Sequence, residues 1–399
     1  MRFYEYESKA ILSEYGIAVP ASEFCQTAEE VRSAVIDINR PVALKSQVLS
    51  GGRMKAGGIK FAESADEAAA AAIDIFALSI NGNKPVGILV EEQMDVEQEY
   101  YAAVTYDGRA KKPLVIFSDM GGIDIEQVAE EHPEHLSRTH FSAMGRFPDY
   151  VAKNAVAGVG IAGAELNGLT RMVAALGRLA LERDMTLAEI NPIGRLSDGR
   201  IIALDCHLDL EQEATRSHVD ILDKLNIGPD EKRQARPPTD FEQAAAIVDS
   251  ADPRGVAGNL TEFEGNLGLI IGAGGGSLTL FDAVRDAGGS PANYCEIGGN
   301  PSVSKAAALT KLICEQPGIE KIAVMMNVVS NTRVDIVARG VVKGCIQAGY
   351  DPSEKIALFR IPGSWEEEGF AILDKYGVEY VDRSVSMDEA AARAVNALS

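Results

Sequence analysis

The stretch ALKSQVLSGGRMKAGGIKF, residues 43–61, combines three basic side chains with two pairs of glycines. Lys45 follows a short apolar run that predicts a β-strand, and Arg53 and Lys55 lie in the glycine-rich segment after it. Basic side chains form charge-assisted hydrogen bonds with phosphate oxygens, and glycines let backbone amides approach the same oxygens. The stretch therefore predicts a phosphate-binding loop, but a surface hairpin with solvated charges explains it equally well. The Walker pattern GxxxxGKS/T is absent.

A second candidate for chemistry is LAEINPIGRLSDGRIIALD, residues 187–205. Glu189 and Asn191 are two positions apart, so on a β-strand they project from the same face. A turn at residues 197–199 then predicts a returning strand that ends at Asp205. Pairing of the two strands brings Asn191 and Asp205 together as hard oxygen ligands, which suit Mg²⁺ carried in by a nucleotide. Polar residues that interrupt otherwise apolar strands favour this metal site over a structural role.

Two further segments give weaker signals. Glu91 ends an apolar strand and Glu99 opens the next one, so both can accept hydrogen bonds from an adenine amino group or ribose hydroxyls. A solvated acidic loop explains these two residues equally well. In IIGAGGGSLTLFDAV, residues 270–284, a glycine-rich turn follows a strand and opens a helix whose positive end favours a phosphate or carboxylate. Ordinary strand-to-helix packing also requires glycine there.

These segments belong to two different patterns of strands and helices. Residues 1–232 alternate short β-branched strands with alanine-rich helices, such as residues 65–76, and predict an α+β domain. The segment RQARPPTD, residues 233–240, has two adjacent prolines and several charges, and predicts a linker. From 241 to 399 the order strand, glycine turn, helix repeats. This order predicts a doubly wound parallel α/β sheet whose ligands bind at the carboxyl ends of its strands.

The composition limits the classes of function. The net charge of −21 argues against binding to nucleic acid or to an anionic membrane surface. Apolar runs are far shorter than the roughly 20 residues of a membrane helix, and the N-terminus lacks the apolar centre of a signal peptide. Five scattered cysteines without a CxxC pair suit a reducing compartment and give no zinc pattern. We therefore expect a cytoplasmic protein with neither nucleic acid nor membrane as a partner.

In combination, these motifs resemble the β subunit of succinyl-CoA synthetase, an ATP-grasp protein of the ADP-forming acid–CoA ligase group. The resemblance covers essentially the whole chain and includes the segments YEYESKAILSEYGIAVP, KSQVLSGGRMKAGGIK, MGGIDIEQVAEEHPE and EINPI. Asp205 follows Asn191 at the separation of the family's magnesium pair. The resemblance implies an ATP-grasp domain over 1–232 and a flavodoxin-like or Rossmann-like CoA-ligase domain over 241–399.

The resemblance also implies ATP and Mg²⁺ as cofactors, CoA as a co-substrate, and specific residue roles. The implied ATP contacts are Lys45, Gly52, Arg53, Met54, Glu91, Met94 and Glu99. The implied metal ligands are Asn191 and Asp205. Glu189 matches the acid that meets a phosphorylated histidine when this histidine visits the nucleotide. Lys45 and Arg53 would stabilise charge on the group being transferred.

The phosphorylated histidine is implied to belong to a partner α subunit, which also carries the CoA site. No histidine of this chain lies in the glycine-alanine loop that such a phosphocarrier needs. Among the five, His207 is of most interest because it is two residues past Asp205. The implied reaction passes a phosphoryl group from ATP to the partner's histidine and then to a small carboxylic acid, after which CoA displaces phosphate.

The resemblance places the acid at Gly272, Gly274, Asn331, Thr332 and Arg360, where a planar guanidinium suits a carboxylate. Succinyl-CoA synthetases have asparagine in place of Ile271 and NIFGGI in place of NVVSNT, residues 327–332. The AGGGS run and the pair Asn331 and Thr332 are more similar to ATP-citrate lyase and citryl-CoA synthetase. Citrate or malate is therefore an alternative to succinate. Helix capping by Asn331 or Thr332 explains this pair equally well.

Two other functions remain open from the sequence. A non-catalytic nucleotide-sensing subunit would keep the fold, but the joint presence of Glu189, Asn191 and Asp205 argues against it. A subunit of a citrate-cleaving assembly would need a citryl-CoA lyase activity, and no segment of this chain resembles one.

Overall fold

The computed structural model describes residues 1–228, 231, 233, 236–272 and 274–398. Six residues to which the sequence assigned a domain or linker lie outside this part of the chain: Pro229, Asp230, Lys232, Gln234, Ala235 and Ser399. Ala273 of the glycine-rich turn also lies outside it. The chain forms two compact units, Met1–Pro237 and Pro238–Ser399. The division between them falls inside the segment that was predicted to be a linker.

The first unit is built from short helices and two sheets. Its helices are α1 (Glu5–Glu14), α2 (Ala28–Ile38), α3 (Ala65–Phe76), α4 (Ile125–Glu131), α5 (Asp149–Ala157), α6 (Gly163–Glu182) and α7 (Val219–Lys224), with 3₁₀ turns at Pro133–His135 and Gln212–Ser217. Its strands are β1 (Ser22–Cys25), β2 (Val42–Ser46), β3 (Ile59–Ala62), β4 (Ile88–Glu92), β5 (Val96–Asp107), β6 (Lys112–Ser118), β7 (Leu136–His140), β8 (Met185–Leu196), β9 (Ile201–Ala203) and β10 (Cys206–Leu210).

Both sheets of the first unit are antiparallel. The smaller sheet has the order β1-β4-β2-β3, and α2 and α3 pack against it. In α3, Ala68, Ala72 and Ile75 recur at helical spacing, so one face of an alanine-rich helix meets the sheet. The larger sheet has the order β10-β8-β5-β6-β7, with β9 paired to β8, and its core includes residues of α1, α5 and α6.

The second unit contains one five-stranded sheet. Its helices are α8 (Asp240–Ser250), α9 (Gly275–Asp286), α10 (Val303–Glu315), α11 (Val334–Gln347), α12 (Pro352–Lys355), α13 (Glu366–Lys375) and α14 (Met387–Asn396). Its strands are β11 (Val256–Glu262), β12 (Leu267–Gly272), β13 (Asn293–Gly298), β14 (Lys321–Met325) and β15 (Ile356–Arg360). The order β11-β13-β12-β14-β15 is parallel except for β11, which is antiparallel to β13.

Helices cover both faces of this sheet. Ile270 packs in one core with residues of α10 and α11, whereas Leu269 and Ile271 pack in another with residues of α9 and α14. A strand that is buried on both faces carries a continuous apolar run, as residues 267–271 do. The predicted α/β fold is therefore confirmed, with β11 as an antiparallel edge strand that the sequence rhythm did not show. In the described residues we find no helix with the length and apolar character needed to cross a membrane.

Candidate functional site

A cavity of about 430 Å³ in the first unit collects side chains from the segments singled out in the sequence. The glycine-rich loop contributes residues 50–55, and β8 contributes Glu189 and Asn191. Asp205 and Glu99 complete this group on the wall. The fold of the first unit therefore brings the predicted phosphate loop and the predicted metal ligands to one place.

The glycine-rich loop is the connection of an antiparallel hairpin in which Lys45 on β2 faces Ile59 on β3. Its base is closed by a hydrogen bond of 2.8 Å from the Gly58 amide to the Arg53 carbonyl oxygen. A Cβ atom at Gly58 would lie 2.7 Å from Cδ1 of Ile80 and even closer to Oγ of Ser46, so a side chain does not fit. The backbone of this loop is therefore a hairpin, as one of the two interpretations predicted. What the loop can bind depends on the positions of its two cations, Arg53 and Lys55.

Arg53 is not solvated. Its Nη1 donates to Oε2 of Glu5 at 2.7 Å, and its Nη2 donates to Oδ2 of Asp205 at 2.7 Å. Nη1 also donates to the Ser46 carbonyl oxygen at 3.1 Å. In contrast, Lys55 is largely exposed and pairs at 3.3 Å with the exposed Asp124. Only one of the two cations in the loop is therefore held at a defined position on the cavity wall.

Lys45 lies behind this wall and is 7% exposed. Its Nζ donates to Oε1 of Glu91 and to the Leu204 carbonyl oxygen, both at 2.7 Å, and to Oε1 of Glu5 at 3.1 Å. Lys9 Nζ lies 2.8 Å from Oε1 of Glu5 and also donates to Oε2 of Glu91. Both carboxylate oxygens of Glu91 are thus bound to lysines, because its neighbours come from α1 and β2.

We call this set the buried charge cluster; its members are Glu5, Lys9, Lys45, Arg53, Glu91 and Asp205. Three acids meet three bases, so the charges balance. Burial alone would raise the pKa of Glu5, but Lys45, Lys9 and Arg53 hold the pKa well below its ordinary value. Burial would lower the pKa of Lys45, yet Glu5 and Glu91 raise it. The opposite charges around Glu5 and Lys45 therefore favour the charged forms of both side chains in spite of their burial.

This cluster corrects part of the expectation from sequence. Glu91 is 3% exposed and, like Met94 and Lys45, is not among the residues that line the cavity. In this structure Glu91 binds lysines and does not present a free acceptor to a base or ribose. Glu5 and Lys9 were not predicted from the sequence as members of the site. The signal was present, since their i,i+4 spacing puts both charges on the face of α1 that also carries the buried Leu12.

Asn191 and Asp205 meet as the pairing of strands predicted. The Asn191 amide donates to the Asp205 carbonyl oxygen at 3.0 Å. The returning strand is divided, however: β9 ends at Ala203, β10 begins at Cys206, and Asp205 lies in the gap, where its side chain reaches the cavity. Oδ1 of Asn191 accepts from the Gly122 amide at 2.8 Å.

One amide oxygen and one carboxylate on a cavity wall suit Mg²⁺, which binds few protein ligands and takes the rest from phosphates and water. In the described part of the chain, no group of three or more His, Cys, Asp or Glu side chains is arranged to hold a metal. The donors present therefore fit a metal that arrives with a ligand, and do not form a metal cage of their own.

Glu189 is held between strands. On β8 it faces Ala103 of β5 and His207 of β10, and Tyr101 Oη donates to its Oε2 at 2.9 Å. Burial raises the pKa of Glu189. His207, the histidine of most interest, also lines the cavity, and its Nε2 lies 3.3 Å from Oδ2 of Asp209. Glu189 thus offers a positioned carboxylate that can accept a hydrogen bond from an imidazole N–H.

The second unit has its own cavity of about 360 Å³ at the carboxyl ends of β12, β13 and β14. Gly272, Gly276, Asn331 and Thr332 line it, whereas Gly274 does not. None of the described lining residues is charged, and α9 begins beside the cavity at Gly275. An anion there would be held by backbone amides, the positive end of α9 and neutral side chains.

The neighbouring helix tests the alternative role of the pair Asn331 and Thr332. The N-cap of α11 is Arg333, and no side chain caps it. Thr332 is 3% exposed, and its Oγ1 accepts at 3.4 Å from the Asn300 amide. Capping of α11 therefore does not explain this pair.

Arg360 requires a correction. Its Nη1 donates to the Met326 carbonyl oxygen at 2.6 Å, and its Nε donates to the Val385 carbonyl oxygen at 2.9 Å. The residue is 4% exposed and is not among those that line the cavity of the second unit. Its guanidinium therefore joins chain segments behind the strand ends and does not present a fork to a carboxylate.

Comparison with known proteins identifies the family. Residues 2–195 match the family described as ATP-grasp domain. The β subunit of ADP-forming succinate–CoA ligase from Methanocaldococcus jannaschii is 32% identical over 399 residues, which cover 100% of both chains. The chain belongs to the succinate–CoA ligase β-subunit family. Another member, the β subunit of GDP-forming succinate–CoA ligase from Thermus thermophilus, is 31% identical over 399 residues, covering 100% of this chain and 99% of that one.

A solved structure shows the same fold. ATP citrate lyase from Methanothrix soehngenii aligns with a TM-score of 0.66 at 19% identity over 99% of both chains. The predicted family, the ATP-grasp and α/β folds, and the enzyme class of acid–thiol ligase are thus confirmed. Most residues that line the cavity of the first unit lie within residues 2–195, the range of the ATP-grasp match.

Proposed function

We propose that the cavity of the first unit binds ATP with Mg²⁺ and phosphorylates a histidine on a partner α subunit. One observation carries the proposal: Arg53, Asp205, Asn191 and Glu189 converge on this cavity from separate parts of the chain. A cation for phosphates, two oxygen ligands for a metal and a carboxylate for an imidazole are the groups that this transfer needs. The γ-phosphoryl group of ATP would pass to an imidazole nitrogen, and ADP would be the leaving group.

Each residue has a distinct task in this proposal. Asn191 and Asp205 would hold Mg²⁺, which when bound supplies positive charge to the phosphate oxygens. Arg53 and the backbone at Gly52 and Met54 would contact the phosphates. Glu189 would accept a hydrogen bond from the imidazole and so orient it. Lys45 and Glu91 would act indirectly from behind the wall, because Glu91 binds Lys45, Lys45 binds Glu5, and Glu5 binds Arg53. Glu99 lines the cavity and would accept a hydrogen bond from the nucleotide.

The cavity of the second unit would hold the carboxylic acid that accepts the phosphoryl group before CoA attacks it. Succinate is the acid named for the relatives. A more oxygenated acid, such as malate or citrate, is the second candidate, because Asn331 and Thr332 offer polar groups on the wall and do not cap α11. A site that donates to a substrate hydroxyl penalises an acid that lacks it, because its polar groups then stay unpaired.

The test uses this chain copurified with its α subunit. CoA-dependent release of nucleoside diphosphate is measured with succinate, malate and citrate, and with ATP or GTP, since one relative forms GDP. We expect turnover with one acid, and its loss in Glu189→Gln with nucleotide binding retained. Tight ATP binding without turnover on any acid would instead favour a nucleotide-sensing subunit.

A further inference from the structure

Both side chains proposed as metal ligands, Asp205 and Asn191, already accept hydrogen bonds from other groups of the chain. Oδ2 of Asp205 accepts from Arg53 at 2.7 Å, and Oδ1 of Asn191 accepts from the Gly122 amide at 2.8 Å. Oδ1 of Asp205 accepts from the Cys206 amide at 2.8 Å. The side chain of Asp205 is therefore fixed by its own backbone on one side and neutralised by a guanidinium on the other.

Glu5 restrains the position of the Arg53 guanidinium. Its Oε2 accepts from Nη1 of Arg53 at 2.7 Å, and Lys45 and Lys9 hold Oε1 of the same carboxylate at 3.1 and 2.8 Å. Glu5 is 4% exposed and lies at the start of α1. Arg53 is thus bound through Nη1 to a buried carboxylate with several partners and through Nη2 to Asp205 at the proposed metal position.

Residues 122–124, which hydrogen-bond to the side chain of Asn191, meet the glycine-rich loop across the cavity. Nδ2 of Asn191 donates to the Ile123 carbonyl oxygen at 3.2 Å, and Asp124 pairs with Lys55 of the glycine-rich loop. A Cβ atom at Gly122 would collide with Oε2 of Glu99, so this backbone lies close to the wall. The proposed metal position therefore lies between residues 122–124 and the glycine-rich loop. Donors from these two segments already bind the oxygen atoms of Asn191 and Asp205.

We propose that Arg53, positioned by Glu5, is the built-in counter-ion of Asp205 in the metal-free chain. A divalent cation that arrives with a nucleotide takes the place of the guanidinium, while Glu5 keeps the other nitrogen of Arg53 and directs the freed Nη2 to a phosphate oxygen. This inference rests on the proposed nucleotide site and adds how the metal enters it.

The exchange couples the metal to the nucleotide. A cation alone has to displace Arg53 from Asp205 and leaves the guanidinium without an acceptor, whereas a nucleotide supplies phosphate oxygens for it. The coupling is reciprocal, so the nucleotide strengthens metal binding by the factor by which the metal strengthens nucleotide binding. Arg53 is therefore a positioning residue for the metal before it contacts the phosphates.

The test measures binding of Mn²⁺ alone to the full chain copurified with its α subunit, by electron paramagnetic resonance. In Arg53→Met, we expect Mn²⁺ to bind about tenfold tighter or more than in the unchanged chain, because a charge-assisted hydrogen bond no longer competes. Binding of Mg²⁺ with ATP should become weaker by a similar factor. The matched control is Arg183→Met, which removes an arginine that binds Asp220 at 2.8 Å outside the cavity.

Two further variants make the result decisive. Arg53→Lys keeps the charge in case the shorter apolar side chain disturbs folding, and should give an intermediate affinity for Mn²⁺. The double variant with Asp205→Asn should lose the tighter site, which locates it. Unchanged or weaker Mn²⁺ binding in folded Arg53→Met would overturn the inference. Failure of Mg²⁺ and ATP to bind the unchanged chain would reject the proposed function, and the Mn²⁺ comparison would still decide the role of Arg53.

Discussion

Tyr101 on β5 donates a hydrogen bond of 2.9 Å to Oε2 of Glu189 on the adjacent strand β8. Tyr101 is buried, and burial followed by the charge of Glu189 raises the pKa of its hydroxyl. Both effects favour the protonated phenol, which is the form that donates to Glu189. A carboxylate held in this way keeps one orientation on the cavity wall, as its proposed hydrogen bond to the partner's imidazole would require.

Removal of the Tyr101 hydroxyl tests whether the orientation of Glu189 limits the rate of phosphoryl transfer. Tyr101→Phe should slow phosphorylation of the partner's histidine roughly tenfold, since one hydrogen bond to a charged group is lost. Affinity for Mg²⁺ with ATP should not change, because Tyr101 does not line the cavity. Rapid-quench kinetics and titration calorimetry separate the two effects. The control is Tyr106→Phe, an exposed residue on the same strand, and equal effects of both variants would contradict the role of Tyr101.

The buried charge cluster predicts a loss of stability with a defined dependence on pH. Glu5→Gln leaves Lys9, Lys45 and Arg53 without a shared carboxylate, and breaking such a buried pair costs about 3–5 kcal/mol. Amide hydrogen exchange in α1 and β2 measures the change. Glu29→Gln, at a largely exposed position, should change stability by no more than about 0.5 kcal/mol.

The sign follows from the pKa of Glu5, which is well below its ordinary value of 4.5. A lowered pKa gives stability that is present in full above the ordinary value and is lost as the pH falls towards the folded value. The difference between the unchanged chain and Glu5→Gln should therefore be constant near neutrality and shrink below about pH 4.5. A difference that grows on acidification would show that Glu5 is not the stabilised group.

Two glycines of the same loop form a matched pair for a steric test. Gly58→Ala places a Cβ atom against Ile80 and Ser46, whereas a Cβ atom at Gly51 has no heavy atom within 4 Å. We expect Gly58→Ala to cost about 1–3 kcal/mol and to weaken nucleotide binding, since Arg53 is joined to Gly58 by a backbone hydrogen bond. Gly51→Ala should behave as the unchanged chain. Calorimetric titration with ATP and Mg²⁺ checks both, and equal affinities would argue against a preformed loop.

The acid cavity predicts a change in substrate preference. If a hydroxylated acid is the substrate, Thr332→Val should lower kcat/KM for that acid by about 10-fold or more and leave succinate nearly unaffected. Thr261→Val, on β11 and away from the cavity, is the matched control. Steady-state kinetics with both acids measure the ratio. An equal loss for both acids would show that Thr332 supports the fold of the cavity without reading the hydroxyl.

Local patterns in the sequence were sufficient for many elements. The alanine-rich segment 65–76 is helix α3 with the same bounds, and the strand, glycine and helix rhythm after residue 241 forms the parallel strands. Glu189 and Asn191 share a strand face because the period of two is a property of the backbone. The edge strand β11 was missed because its half-exposed sequence VAGNLTE carries no strong apolar alternation.

By itself the sequence determined the family, the alternation of parallel strands and helices in the second unit, and the spacing of Glu189, Asn191 and Asp205, because these depend on residue type and local period. Only the tertiary structure decided which charges face the cavity. Lys45 and Arg53 look equivalent in the sequence, yet remote acids on α1 and β4 hold Lys45 behind the wall while Arg53 reaches Asp205. The reason is desolvation: a buried charge remains only where opposite charges surround it, and those partners come from distant parts of the chain.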